Sequence, residues 1–172
     1  LDAVEQAELR VEIPNGMRAD YLSPEDLRRL RPRITTVSVS AESGSPAVVD
    51  AIVGKKLDLA AVESVAAAAH EIGLPLLVHY MIGLPDETAA QINETLAYAL
   101  RLWDEYRAEP AVQYATPLPG TALAAGRRLP IVEDWGPRFQ TAASQSGCNV
   151  DPDTLTAFMR TFNQRLQASR GA

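Results

Sequence analysis

The chain has 172 residues, 47% hydrophobic and 22% charged, with a formal net charge of -6 and a pI near 4.9. Such a composition describes one ordinary folded domain, or part of one, and argues against wholesale disorder. The acidic balance excludes sequence-independent nucleic-acid binding as a main function, because that needs a basic face. The single cysteine, Cys148, cannot by itself supply a disulfide, a zinc site or an iron–sulfur cage, and fits a reducing, cytoplasmic setting. The apolar stretch 74–84 contains Pro75, His79, Tyr80 and Gly83 and is too short to span a bilayer. No signal peptide is visible, and the chain opens at Leu1 rather than Met, so it reads as a fragment.

Weak helical periodicity over 1–9 is followed by an alternating segment, Arg10-Val11-Glu12-Ile13, which predicts a strand closed by Pro14-Asn15-Gly16. Ser23-Pro24-Glu25-Asp26 marks a helix start, with Ser as N-cap and Pro at the first helical position. That helix carries Arg28, Arg29, Arg31 and Arg33, read as a solvated face. Residues 34–40 form the next predicted strand, leading into Glu42-Ser43-Gly44-Ser45-Pro46 and a short helix over 46–53 stopped by Gly54. Asp58 caps a periodic helix with Val62, Val65, Ala66 and Ala69 on one face. The nearly continuous apolar run 76–82 is what a strand buried on both faces in a parallel sheet looks like. A helix over 87–106 and a strand over 111–115 follow. Asp151-Pro152-Asp153 opens a last helix that turns Leu155, Phe158, Met159, Phe162 and Leu166 inward. Four strands with crossover-sized helices between them imply a parallel sheet, whose site lies at the C-terminal ends of its strands.

Three strand exits carry the polar residues that such a site uses. Glu42, beside two serines and a flexible Gly44, is placed to accept from an amine or from ribose hydroxyls, or else it caps the next helix. In Gly83-Leu84-Pro85-Asp86-Glu87-Thr88 the glycine permits close approach of a ligand, whereas the two acids suit the positive end of a helix. Thr116-Pro117-Leu118-Pro119-Gly120-Thr121 leaves backbone groups unpaired, because each proline lacks an N–H, and these groups suit a planar base; otherwise it is a tight turn. His79 reads as a satisfied core histidine in preference to a catalytic base, and Lys55-Lys56 as solvated rather than anion-binding.

Taken in order, Ser-x-Glu-Ser-Gly-Ser-Pro, Gly-Lys-Lys, His-Tyr-Met-Ile-Gly-Leu-Pro-Asp-Glu-Thr and Tyr-Ala-Thr-Pro-Leu-Pro-Gly-Thr resemble the second half of a radical S-adenosylmethionine (radical SAM) barrel. The similarity is to the branch often preceded by a cobalamin-binding domain. It runs over roughly 12–123, with a weaker echo to residue 165. The resemblance implies an α/β fold that is the C-terminal part of a partial (βα)6 TIM-like barrel, spanning 1–126, with a C-terminal loop and helix over 127–172. It implies SAM and a [4Fe–4S] cluster as cofactors, with cobalamin brought by an upstream domain, and reductive cleavage of SAM to a 5′-deoxyadenosyl radical. Position by position, it implies that Ser40, Glu42 and Ser43 meet the ribose and methionine of SAM. Ile82 and Gly83 would pack beside adenine, and Thr116 and Pro117 would offer backbone groups to its edge. Asn15 and Arg18 match a polar position of the family weakly, and Glu87 matches a structural cap.

The family's Cys-x-x-x-Cys-x-x-Cys loop is absent from the sequence. The expected partner is therefore a missing N-terminal part of the same barrel, with a small-molecule or RNA substrate. The chain alone is expected to be inactive. A cluster-free half-barrel acting as a scaffold is the alternative, and an unrelated TIM-type lyase or aldolase fragment ranks last because no lysine stands at a strand end.

Overall fold

The computed structural model describes residues 1–116 and 148–171. Its centre is a parallel three-stranded sheet in the order β1 (Val37–Glu42), β2 (Leu76–Ile82), β3 (Glu109–Tyr114). The connections are right for parallel pairing: α3 (Leu59–Glu71) leads from β1 to β2, and α4 (Ala89–Tyr106) from β2 to β3. Helix α1 (Asp2–Gln6) and helix α2 (Pro24–Leu30) precede the sheet, and α5 (Pro152–Arg170) packs against α4. This α/β arrangement is that of a partial TIM-like barrel with a C-terminal helix. The boundary expected at 126/127 lies outside the described residues.

Face alternation organises the sheet. Val37, Val39 and Ala41 of β1 and Leu76, Val78, Tyr80 and Ile82 of β2 are buried under the helices. Val62, Val65, Ala66, Ile92, Leu96, Ala99, Leu102, Leu155 and Phe162 meet them from α3, α4 and α5 in one apolar cluster. The opposite face carries Ser38, Ser40 and Glu42, then Leu77, His79 and Met81, then Glu109, Ala111 and Gln113. Alternate residues of a strand point to opposite faces, so the eight besides Glu42 line the side that a barrel would enclose, and Glu42, past a register slip that pairs it with Tyr80, reaches that side through a bulge.

The helix starts follow the sequence closely. Ser23 accepts from the Asp26 amide at 3.1 Å, and Asp26 returns the bond in a capping box. Asp58 and Asp151 cap α3 and α5. Helix α4 begins later than expected: its cap is Thr88, paired with Gln91. The arginine run keeps Arg28 and Arg31 exposed, as a solvated face would, but Arg29, Arg31 and Arg33 also hold neighbouring segments. Arg29 binds Glu5 at 2.9 and 3.0 Å and also reaches Asp2, Arg31 donates to the Ile72 carbonyl, and Arg33 donates to the Glu5 carbonyl at 3.4 Å. These cations staple α1 and α3 to α2.

Other expectations need correction. No strand forms over 10–13, where the Val11 amide donates to the Arg33 carbonyl at 2.8 Å; the chain meets the sheet only further on, through a single bridge of Met17 beside Val39. Pro14 has no N–H to give and Gly16 turns with φ +75°, so regular pairing cannot extend along it. The strand expected over 34–40 runs Val37–Glu42, so Glu42 ends the strand itself. The third strand starts two residues early and includes Pro110, which an edge strand tolerates. The helix expected over 46–53 contains a π-turn, Val48–Ile52.

Gly44 is required by packing rather than flexibility. A Cβ there would stand 2.5 Å from Tyr98 Cβ and 2.9 Å from Thr95 Cα, so the turn after β1 lies directly on α4. Gly44→Ala is expected to lower unfolding free energy by about 1–3 kcal/mol through overpacking. Gly171→Ala, whose nearest atoms would be 3.8 Å away, is expected to stay within roughly 0.5 kcal/mol of the parent. Urea denaturation of both variants checks the pair, and equal effects would refute the close-packing explanation.

Candidate functional site

The C-terminal ends of the strands open onto a cavity of about 440 Å³. It is lined by Pro14, Asn15, Ser40, Glu42, His79, Tyr80, Met81 and Gln113. That volume lies in the range of small-molecule sites, roughly 300–1,000 Å³. Larger clefts lie elsewhere, between α4 and α5 and along α5, but they are away from the strand ends.

Glu42 is held at the rim in an uncommon conformation. Its φ is +66°, and the β1–β2 register slips between Ser40 and Glu42. The bulge re-aims the side chain onto the open face. Lys55 Nζ binds the Glu42 carboxylate at 3.0 Å and also donates to the Ser40 carbonyl. Only 13% of the Lys55 side chain is exposed, so the lysine expected to be solvated is instead held behind the rim against Glu42. Arg18 supports the same loop by donating to the Lys55 carbonyl at 2.9 Å, while Asp20 takes the rest of its guanidinium at 2.7 and 3.0 Å. Arg18 therefore braces the wall rather than lining it. Asn15 reaches the cavity because Gly16 crosses close over β1, where a Cβ would meet Ser40 Oγ at 2.6 Å.

The other expected contacts divide. Ser43 is fully buried; its hydroxyl pairs with Thr95 Oγ1 at 2.7 Å and accepts from the Ser45 amide at 3.0 Å. Thr95 Oγ1 also accepts from the Gly44 amide at 3.1 Å. These bonds fasten the turn to α4 and leave Ser43 no face toward the cavity. Ile82 is likewise fully buried on the helix side, and the apolar side chain that β2 presents to the cavity is Met81. Sequence reading missed this because β2 is apolar on both faces. The polar residues Ser38, Ser40, His79 and Gln113 were the available signal for which face is which. Thr116 donates to the Tyr114 carbonyl at 3.2 Å, next to the end of β3. Pro117 lies outside the described residues.

Glu87 sets the shape of the second exit. Its carboxylate has no exposed surface and accepts from the Gly83 amide at 2.6 Å and the Leu84 amide at 3.0 Å, while its second oxygen has no partner. The acid thus closes the turn backward onto the strand end rather than serving the helix dipole. Gly83 (φ +80°) and Asp86 (φ +63°) supply the left-handed geometry of that turn. Burial raises the Glu87 pKa above the ordinary glutamate value, and the two amides oppose that shift. His79 shifts the other way: burial lowers its pKa, and the charge of Glu42 partly restores it. Its Nε2 lies 2.7 Å from Ser38 Oγ.

The sequence model of the radical SAM superfamily matches residues 4–99. The chain belongs to the radical SAM superfamily. It is also similar to an uncharacterized methyltransferase of Pyrococcus horikoshii, 31% identical over 103 residues. That match takes in 58% of this chain and 22% of the relative, so the chain spans about a fifth of the relative's length. Radical SAM proteins as a family use SAM with a [4Fe–4S] cluster. The cluster does not fit the residues described here. Among them no three His, Cys, Asp or Glu side chains come together to hold a metal, and the sequence's one cysteine, Cys148, is hydrogen-bonded with Val150. Also among the described residues, no helix is long and apolar enough to cross a membrane.

Two pH effects follow. A carboxyl with a raised folded-state pKa favours the folded protein at low pH and loses that contribution as pH rises through its folded pKa. Relative to Glu87→Gln, the parent is therefore expected to become less stable from pH 4 upward, as read by urea midpoints across that range. His79 is expected to titrate by NMR below the free-histidine value of about 6.5, and lower again in Glu42→Gln, which removes the charge that raises it.

Proposed function

We propose that this chain forms the SAM-binding wall of a radical SAM enzyme, with SAM lying across the strand ends between Glu42 and Gln113. The observation that carries the reading is the cavity itself, where a carboxylate backed by a lysine, two amides and a thioether converge within a superfamily whose shared cofactor is SAM. Glu42 accepts hydrogen bonds from hydroxyl or amino groups of the ligand. Lys55 faces its carboxylate. Met81 gives adenine an apolar surface, with Gly83 allowing close approach beside it, and the backbone around Thr116 takes the base edge. Asn15 closes the side next to β1. Ser43 and Ile82 support these groups from behind.

In the family, SAM supplies a 5′-deoxyadenosyl radical when it is reductively cleaved at the cluster. The part proposed for this chain is to bind and orient SAM, since the described residues offer no cluster ligands. Cluster ligands and the remaining strands then come from a partner segment of the same barrel, working in a cytoplasmic, reducing setting. Methyl transfer is the reaction class proposed for the whole protein, following the name of the Pyrococcus horikoshii relative. The cobalamin-associated branch finds no support in the family match, and the proposal leaves cobalamin out.

Titration calorimetry with SAM tests the reading. The parent chain is expected to bind, and Glu42→Gln to weaken binding roughly 10- to 100-fold, the cost of about 1.5–3 kcal/mol for a hydrogen bond to a charged group. Ser43→Ala is expected to do the reverse, lowering stability by about 1–3 kcal/mol with affinity unchanged, because its hydroxyl partners are internal. A cooperatively folding chain that shows no heat with SAM would replace this reading with that of a non-catalytic scaffold.

A further inference from the structure

The open face has a second layer beneath the rim. Two residues along a strand span about 6.6 Å, so His79 lies one layer below Met81, paired in register with Ser40 on one side and Ala111 on the other. Ala111, its neighbour on β3, is a small residue. Ser38 is 4% exposed, and its hydroxyl meets His79 Nε2 at 2.7 Å.

The direction of that hydrogen bond can be assigned by counting donors and acceptors. If Nε2 carried the proton, the Ser38 hydroxyl hydrogen would need another acceptor, and no other partner of Ser38 Oγ exists among the described residues. A buried hydroxyl proton without a partner costs roughly 1–3 kcal/mol. With the hydroxyl donating to Nε2, both groups are satisfied and the ring proton is left on Nδ1. Nδ1 has no hydrogen-bond partner among the described residues and is not one of the fully buried unpaired atoms. It is therefore an open donor on a ring that lines the cavity.

We propose that His79, oriented by Ser38, is the residue with which this lumen reads the substrate, donating from Nδ1–H to an uncharged acceptor such as a carbonyl or ring nitrogen. The inference rests on the proposed SAM site, since it places the substrate in the layer beneath that cofactor. A neutral ring suits the role: protonation would turn Nε2 into a donor and strand the Ser38 hydroxyl. The lowered His79 pKa agrees with this. The charged groups around the ring explain the preference for an uncharged partner. Glu42 of β1 acts on His79 with a negative charge and is itself paired to Lys55. On β3, Ala111 brings no charge, and Glu109, one layer deeper, is bonded to Arg170 of α5. At the His79 ring, where the described lining holds no cation, the charge of Glu42 disfavours a ligand carboxylate but not a carbonyl. Ser38 is a positioning residue, and His79 is the one that touches substrate.

The experiment uses the whole chain and NMR, because two histidines and three methionines give few, assignable signals. Imidazole-optimised 1H–15N spectra are expected to show His79 with Nδ1 protonated and Nε2 unprotonated, and Ser38→Ala to lose that preference. N-methylacetamide, an uncharged carbonyl probe, is expected to shift the His79 ring and the Met81 methyl while leaving His70, Met17 and Met159 in place. His79→Phe is expected to abolish the Met81 response. A parent His79 protonated at Nε2, a Ser38→Ala variant with unchanged tautomer, or equal probe responses at His70 and His79 would each overturn the proposal. SAM added separately reports on the cofactor site through the Met81 methyl. No shift there counts against SAM binding alone, because the tautomer and the N-methylacetamide response are read without it.

Discussion

The contact on which the rest of this structure depends is the seating of the Ser43-Gly44-Ser45 turn on helix α4. Thr95 Oγ1 joins the Ser43 hydroxyl, the Gly44 amide and the Gln91 carbonyl in one buried cluster. Buried polar groups are costly unless paired, so this cluster fixes the turn in one position. Fixing the turn fixes the residue before it. Glu42 can hold a left-handed backbone angle at a bulge only because the chain on its far side is anchored, and its side chain is then directed to the cavity where Lys55 meets it. The Glu87 carboxylate does the same for β2, drawing the Gly83 and Leu84 amides into a closed turn. Two strand exits are thus shaped by buried side chains that never reach the cavity.

This division separates two kinds of polar residue that look alike in sequence. Ser43, Glu87 and most of the Arg18 guanidinium are consumed by internal partners. Ser40, His79 and Gln113 are set on the open face by strand alternation, and Glu42 by the bulge. A motif such as Glu-Ser-Gly-Ser therefore contains one residue on the cavity wall and three that fasten the turn.

How much was legible in the sequence follows from the range of the forces involved. The caps Ser23, Asp58 and Asp151 were readable because a cap bonds two or three residues away. The limits of β2 were readable because the run 76–82 is apolar, but for His79, on the helix-covered face and the open face alike. That same uniformity hid its two faces, so Ile82 was favoured over Met81 for the cavity. Lys55 gave no local signal, since its partner Glu42 lies thirteen residues upstream and only the bulge brings the two together. The segment 10–13 alternates like a strand, yet strand formation depends on a neighbour able to pair, and Pro14 and Gly16 interrupt that pairing.

The charge arrangement completes the argument. The chain is acidic overall, and Glu42 alone would make the cavity hostile to a ligand bearing a carboxylate. Lys55 reverses this locally: it is nearly desolvated, so its attraction for an anion is screened less than that of a surface lysine. Its ion pair with Glu42 leaves the rim close to neutral. A zwitterionic ligand with an amino and a carboxylate group can then replace the pair by two pairs of its own, without leaving a buried charge uncompensated. That exchange suits an amino-acid headgroup better than a simple anion or a simple cation, which is the ligand chemistry the proposed SAM site requires.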